Sequence, residues 1–189
     1  GDDRHFQPIL FQNGGAVGIF NVSMGLARGL MQIPEVSELH LLGNEECADI
    51  FTNLPPHVHL HLADKPVPRR FGRVWWDQAG VCAVIRRIKP DWAILPKGFP
   101  PFFPRLGKTK LACYLHDVNW EYYEQHQGEG DPPFPRHELL YFRTLGLRCL
   151  QVSDLVLTST AFNKSRYEHY CPGCRTAVVG IGFDDAPCP

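Results

Sequence analysis

A histidine and an aspartate stand at the end of an apolar stretch that has the composition of a buried strand. The stretch is Lys110–Leu115; His116 and Asp117 follow it directly, and Asn119 comes two residues later. An imidazole beside a carboxylate can hydrogen-bond a hydroxyl group or stabilise charge that develops during a reaction. The alternative is a strand-end histidine capped by a backbone carbonyl. A position at the end of a parallel strand favours the functional interpretation.

A pair of glycines, Gly14-Gly15, lies between a short apolar run and a stretch with helical periodicity. Backbone N–H groups and the dipole of the following helix favour an anion such as a phosphate at such a turn. The spacing Gly14-Gly15-x-x-Gly18 differs from the G-x-G-x-x-G dinucleotide fingerprint. Two interpretations stay open: an anion site, and a tight turn that binds nothing.

An arginine and two adjacent tryptophans, Arg73, Trp75 and Trp76, open a predicted helix. The two rings cannot both lie on one narrow helix face, so one of them is free to meet solvent or a ligand. Aromatic rings beside an arginine suit a carbohydrate or an anionic acceptor, and packing in the core is the alternative.

The seven cysteines include one C-x-x-C pair, Cys171 and Cys174. A redox pair would stand at a helix N-terminus, where the dipole lowers a thiol pKa, but this pair follows the predicted helix 163–170. A zinc site needs four ligands, and only His169 and Cys188 are close in sequence. We therefore expect two bystander thiols in a loop, and an odd cysteine count typical of a reduced protein.

Three histidines, His57, His59 and His61, alternate with apolar residues. Because successive side chains of a strand point to opposite faces, the three rings are expected to share one face. Such a row resembles a set of metal ligands, but it is more typical of the wetter face of a strand.

Composition sets the class of protein. The 189 residues are 44% hydrophobic and 21% charged, a composition that suits one soluble domain. The net charge is -1, so the chain lacks the excess of basic residues expected of a nucleic-acid binder. No apolar run reaches the roughly 20 residues of a membrane span, and the first residues do not resemble a signal peptide. The sequence therefore predicts a cytoplasmic protein, and its two ends look like cuts in a longer one.

Strand-like and helix-like segments alternate along the chain. Strands are predicted at 6–11, 37–42, 58–62, 92–95, 110–115, 154–158 and 176–179. Helices are predicted from 18 to before Pro34, at 45–51, 73–89 and 137–151, and after an N-cap at Ser159 or Thr160, with a loop at 125–135. The alternation predicts an α/β fold: a Rossmann-like, doubly wound, mostly parallel sheet with helices on both faces. Ligands bind such sheets at the carboxyl ends of the strands. The residues that follow the predicted strands there are Gly14-Gly15, Pro96–Gly98, His116–Asn119 and Ser159.

Five segments occur together in the order of a known family. They are Gly14-Gly15, Lys89–Trp92, Leu115–Asp117, Val152–Ser159 and Val179–Asp184. Over nearly its whole length the chain resembles the N-terminal domain of group 1 (family 4) glycosyltransferases of the GT-B fold. Residues 1–189 would then form a single Rossmann-like, acceptor-side domain, without the C-terminal nucleotide-sugar domain.

The resemblance implies a retaining transfer of a sugar from a nucleotide sugar to an acceptor. It implies that Gly14 and Gly15 lie near the donor diphosphate, that His116 contacts the transferred sugar or the reaction centre, and that Ser159 lines the cleft. It also implies no metal and no cofactor besides the donor. On chemical grounds Arg73, Trp75, Trp76, Asp117 and Asn119 are assigned to the acceptor side.

The family's E-x7-E motif is missing in its proper context. The spacing occurs at Glu38 and Glu46 and at Glu121 and Glu129, and we interpret both pairs as chance. One half without a nucleotide site is expected to be inactive alone. Two other hypotheses stay open: a non-catalytic module that binds a glycan or a protein, and a sugar-nucleotide epimerase or dehydrogenase, which the absent dinucleotide fingerprint weakens.

Overall fold

Parallel strands in a single sheet organise the molecule. The computed structural model describes residues 5–10, 17–43, 50–62, 76–126 and 136–180. Within these ranges seven strands are present: β1 His5–Leu10, β2 Glu38–Gly43, β3 Val58–Leu62, β4 Trp92–Leu95, β5 Lys110–Tyr114, β6 Leu155–Thr158 and β7 Thr176–Val178. Their order across the sheet is β3-β2-β1-β4-β5-β6-β7, and every neighbouring pair is parallel.

Helices connect most of these strands. They are α1 Val17–Met31, α2 Val81–Ile88, α3 Asn119–Gln125, α4 Arg136–Val152 and α5 Ala161–Tyr170, and a π-helical turn at Trp76–Gly80 precedes α2. None of the helices in the described ranges is both long and apolar enough to cross a bilayer.

The two faces of the sheet have separate cores. On one face, Met24 and Ala27 of α1 pack with Leu39 and Leu41 of β2. Leu42, the next residue of β2, belongs to the core of the opposite face, because side chains alternate along a strand. Residues from four other helices complete that second core: Val81 and Ile85, Trp120, Cys149 and Leu150, and Tyr167. The doubly wound α/β fold predicted from the sequence is confirmed.

Helix α3 was absent from the sequence prediction. Its seven residues bury one large side chain, Trp120, so the segment shows no amphipathic period. Packing holds it in place: a Cβ added to Gly146 of α4 would lie 2.5 Å from the Trp120 ring. Glu121 also pairs with Arg166 of α5, at 2.7 Å between Oε1 and Nη2. Tertiary contacts therefore stabilise a helix that its own sequence does not signal.

The remaining differences lie at element ends. The predicted bounds of β3 and β4 are those observed. Of the helix predicted at 73–89, residues 76–80 form the π-helical turn and Val81–Ile88 form α2, and 73–75 lie outside the described residues. Of the predicted helix 45–51, Ile50 and Phe51 form a turn and a bend, and 45–49 lie outside the described residues. Thr160 is the N-cap of α5, with Oγ1 accepting a hydrogen bond from the Asn163 N–H at 3.1 Å.

Candidate functional site

The strand order reverses direction between β1 and β4. In an open parallel sheet the ligand crevice lies outside the carboxyl ends of the strands at this reversal. The predicted residues Gly14 and Gly15 follow β1, but they lie outside the described residues, as do Arg73 and Trp75. Trp76 is described by its backbone alone, in the π-helical turn. Described residues follow the carboxyl ends of β4, β5 and β6.

His116 lies just beyond β5 and contacts the turn that follows β4. Its Nε2 is 2.8 Å from the backbone oxygen of Pro96. A carbonyl oxygen only accepts hydrogen bonds, so Nε2 must carry the proton and donate it. In the neutral ring, Nδ1 then holds the lone pair, and it has no hydrogen-bond partner among the described residues. Capping by a backbone carbonyl is thus what the structure shows for Nε2, and it leaves Nδ1 available.

Burial favours the neutral form of the His116 ring. Burial lowers the pKa of His116, while the bond to Pro96 O and the nearby Asp117 oppose that change. A neutral ring with its proton on Nε2 accepts a hydrogen bond at Nδ1 and has no second proton to donate. At neutral pH the side chain therefore suits a hydroxyl group as its partner.

Two buried side chains from α5 fix the backbone around His116. Asn163 donates from Nδ2 to the His116 backbone oxygen at 2.8 Å, and it is only 8% exposed. Tyr167, fully buried, donates from its hydroxyl to the Leu115 backbone oxygen at 2.8 Å. Neither β5 nor the loop after it supplies these donors, so the site depends on α5 packing against this edge.

Gly98 sets how closely the turn after β4 approaches β5. Its φ is +67°, a conformation that favours glycine. A Cβ there would lie 2.8 Å from Leu115 Cδ1 and 2.9 Å from the Tyr114 backbone oxygen. The missing side chain thus lets the Pro96 carbonyl reach the His116 ring.

Asp117 and Asn119 are bonded to each other. Asp117 Oδ1 accepts from the Asn119 backbone N–H at 3.1 Å, and Oδ2 accepts from Asn119 Nδ2 at 2.7 Å. This pair lies at the start of α3, with Asp117 half-buried and Asn119 exposed, so it stabilises the helix end and leaves polar atoms near solvent beside His116.

Ser159 joins the same edge through Tyr114. Burial raises the pKa of Tyr114, and a side-chain hydrogen bond with Ser159 opposes that rise. The Tyr114 and His116 rings lie next to each other, with their centroids 4.7 Å apart and their planes tilted by 48°. The fold therefore brings His116, Asp117, Asn119 and Ser159 to one edge. Sequence reasoning missed the supporting Tyr114, Asn163 and Tyr167, because their roles arise from contacts between distant segments.

The histidine row lies elsewhere. His40 Nδ1 is 2.9 Å from His61 Nε2, and the His40 ring stacks on His59 with centroids 5.0 Å apart. Over the ranges that the structure covers, no group of three or more His, Cys, Asp or Glu residues is placed to hold a metal ion.

Comparison with known proteins identifies the fold. The chain matches no family model and no curated protein sequence. Among solved structures it is similar to UGT73P12 of Glycyrrhiza uralensis, a UDP-glycosyltransferase of the GT-B fold complexed with glycyrrhetinic acid 3-O-monoglucuronide. The TM-score is 0.60 at 12% sequence identity, over 93% of this chain and 49% of that one. The chain thus has the Rossmann-like architecture of one half of a GT-B glycosyltransferase and spans about half the length of this neighbour.

Proposed function

We propose that this chain is the acceptor-side half of a retaining glycosyltransferase of group 1 (family 4), which transfers a sugar from a nucleotide-sugar donor to an acceptor. The observation that carries the proposal is the placement of His116: a neutral imidazole, protonated at Nε2, with Nδ1 available at the carboxyl end of β5. The likeness to a GT-B half and the ordered segments of the sequence support the same class.

His116 is the proposed catalytic residue. Nδ1 accepts a hydrogen bond from a hydroxyl group of the transferred sugar and orients that sugar for reaction. The bond from Nε2 to Pro96 O and the Asn163 bond to the His116 backbone keep Nδ1 in place. This role is orientation: Nε2 commits the one ring proton to the Pro96 carbonyl, so the neutral ring cannot serve as a proton donor.

The donor phosphates are assigned to Gly14 and Gly15, which precede α1 in the sequence and whose backbone N–H groups would bind them, and to the end of β6. Ser159 offers a hydroxyl there, beside Tyr114. The proposed donor site needs no metal, because the diphosphate would be bound by backbone groups and by a second domain that packs against this edge.

The acceptor is assigned to Asp117 and Asn119, which follow His116 in the chain, and to Arg73, Trp75 and Trp76, whose residue types suit a carbohydrate or an anionic group. A glycan, a lipid or a small molecule would fit this chemistry. A cytoplasmic location is part of the proposal, since nucleotide sugars would be supplied there.

The test is an assay of the full-length gene product with a panel of nucleotide sugars. We expect binding of one donor, release of its nucleotide, and a product whose anomeric configuration, measured by NMR, matches that of the donor. Inverted configuration would contradict the retaining assignment. A folded protein that binds no nucleotide sugar and transfers none would contradict the whole proposal and favour a non-catalytic glycan- or protein-binding module.

A further inference from the structure

The C-x-x-C pair after α5 lies in a tight turn that brings its two ends together. The Cys174 backbone N–H donates to the Cys171 backbone oxygen at 3.1 Å, and Gly173 has a φ of +91°. With Pro172 at the second position and glycine in a left-handed conformation at the third, these features are those of a type II turn. Such a turn keeps its first and last Cα atoms within about 7 Å, which overlaps the range of about 4.4–6.8 Å found for disulfides.

The two thiols point to nearby backbone carbonyls rather than to solvent alone. Cys171 Sγ is 3.7 Å from Leu150 O, and Cys174 Sγ is 3.8 Å from Tyr167 O. Burial and the neighbouring Cys171 thiol raise the pKa of Cys174. Both residues are half-buried free cysteines, so a small reagent can reach them.

The other thiols of the described residues are less accessible. Cys82, Cys113 and Cys149 are buried and free. A hydrogen bond with Cys113, together with complete burial, raises the pKa of Cys149 well above its usual range. Among the cysteines of the described residues, the Cys171–Cys174 pair is therefore the most accessible to a small disulfide in solution.

We propose that Cys171 and Cys174 form a thiol–disulfide exchange site that reacts with small disulfides such as oxidised glutathione. The thiolate of one cysteine attacks a sulfur of the glutathione disulfide, forms a mixed disulfide and releases one glutathione thiolate. The thiolate of the other cysteine then attacks the mixed disulfide at the protein sulfur and releases the second glutathione. In total, two protein thiols are oxidised, one glutathione disulfide is reduced to two glutathione thiols, and the two protein protons pass to solvent or to the released thiolates.

Oxidation would change contacts at the end of α5. Both Sγ–H groups lose their protons, so Leu150 O and Tyr167 O lose the sulfur donors that now face them. The backbone bond from Cys171 N to Tyr167 O, at 2.9 Å, is unaffected by this chemistry. The exchange chemistry itself uses none of the residues assigned to sugar transfer.

The test titrates the chain with mixtures of oxidised and reduced glutathione, followed by acid quenching, alkylation and trypsin digestion. Cleavage after Arg166 and Arg175 releases one peptide, residues 167–175, which contains both cysteines of the pair and no other. In the oxidised sample we expect this peptide to carry no alkyl group. Its mass should be lower than that of the reduced, unalkylated peptide by two hydrogen atoms. The native chain should reach half oxidation at a ratio of oxidised to reduced glutathione about tenfold lower than the denatured chain does, because the turn is formed in advance.

Three variants make the outcome specific. Cys174→Ser should leave Cys171 as a stable mixed disulfide with glutathione, and Cys82→Ser, a buried control, should oxidise like the natural chain. Circular dichroism checks that each variant is folded. Equal oxidation of native and denatured chains, full alkylation of both cysteines, or a disulfide between residue 174 and the peptide 149–164 would overturn the proposal. Cys149→Ser should oxidise like the natural chain, because Cys149 takes no part in the proposed disulfide.

Discussion

Two regions of the sheet hold histidines whose pKa is lowered by burial, and they use their ring nitrogens differently. In the cluster on β2 and β3, His40 Nδ1 contacts His61 Nε2 at 2.9 Å, and His40 Nε2 lies 3.5 Å from Glu38. Beyond the end of β5, His116 uses Nε2 on a backbone carbonyl and keeps Nδ1 without a partner among the described residues. The comparison teaches that residue type alone does not mark a site. Position at the carboxyl end of a strand and an available ring nitrogen distinguish His116.

The largest effect is expected from His116→Ala in the full-length gene product. If Nδ1 orients the transferred sugar, kcat should fall by roughly 10²-fold, the order of loss when a substrate is no longer held in position. The matched control is His59→Ala, in the β2–β3 cluster, which should leave kcat unchanged. Steady-state kinetics on folded variants measure both. An unchanged kcat for His116→Ala would place this ring with the structural histidines.

Gly98→Ala should destabilise the turn that carries the His116 partner. A left-handed alanine costs about 1–2 kcal/mol, and the close contacts with Leu115 and the Tyr114 oxygen add roughly 1–3 kcal/mol. Gly107→Ala is the matched control: its φ is +70°, but nothing lies within 4 Å of an added Cβ. Denaturant unfolding should show the larger loss for Gly98→Ala. Equal losses would mean that the turn can move away from β5.

Asn163→Ala should remove the buried donor to the His116 backbone oxygen. An unsatisfied buried carbonyl costs about 1–3 kcal/mol of unfolding free energy. Asn119→Ala removes an exposed side-chain bond instead and should cost less than about 1 kcal/mol. Chemical denaturation compares the two, and a larger loss for Asn119→Ala would show that the exposed turn, rather than α5, holds this edge.

The smallest effect is a shallow dependence of stability on pH from both histidine regions. Burial is the largest cause of the lowered pKa in His40, His61 and His116. The unfolded chain then binds more protons than the folded one between the folded pKa and the usual value of 6.5, so stability is full above this window and is lost as the pH falls through it.

Replacing the histidines separates the two contributions to this pH dependence. The double change His40→Gln with His61→Gln should flatten most of the slope of unfolding free energy against pH, and His116→Gln should flatten a smaller part, because it removes one titrating group. Unfolding curves at several pH values between 5 and 8 measure the slopes. If the slope of unfolding free energy against pH is unchanged in the double variant, the histidines of β2 and β3 do not cause the pH dependence.

Sequence patterns predicted the elements that have a strong period of their own. The alternating residues of β3 and the apolar run of β4 predict these strands with their observed bounds. The order of polar and apolar residues along a strand reflects which of its faces are buried. Helix α3 has no such pattern and was missed. Its formation depends on Trp120 packing against Gly146 of α4 and on Glu121 pairing with Arg166 of α5, partners that are distant in the sequence.

For the site, the sequence by itself determined that His116, Asp117, Asn119 and Ser159 follow strands of a parallel sheet, since the end of each strand can be found from local residues. Only the tertiary structure decided which nitrogen of His116 is available. The proton on Nε2 is assigned by Pro96, twenty residues earlier in the chain, and the backbone is held by Asn163, forty-seven residues later. No local pattern encodes these partners, because they meet only when β4, β5 and α5 pack at one edge of the sheet.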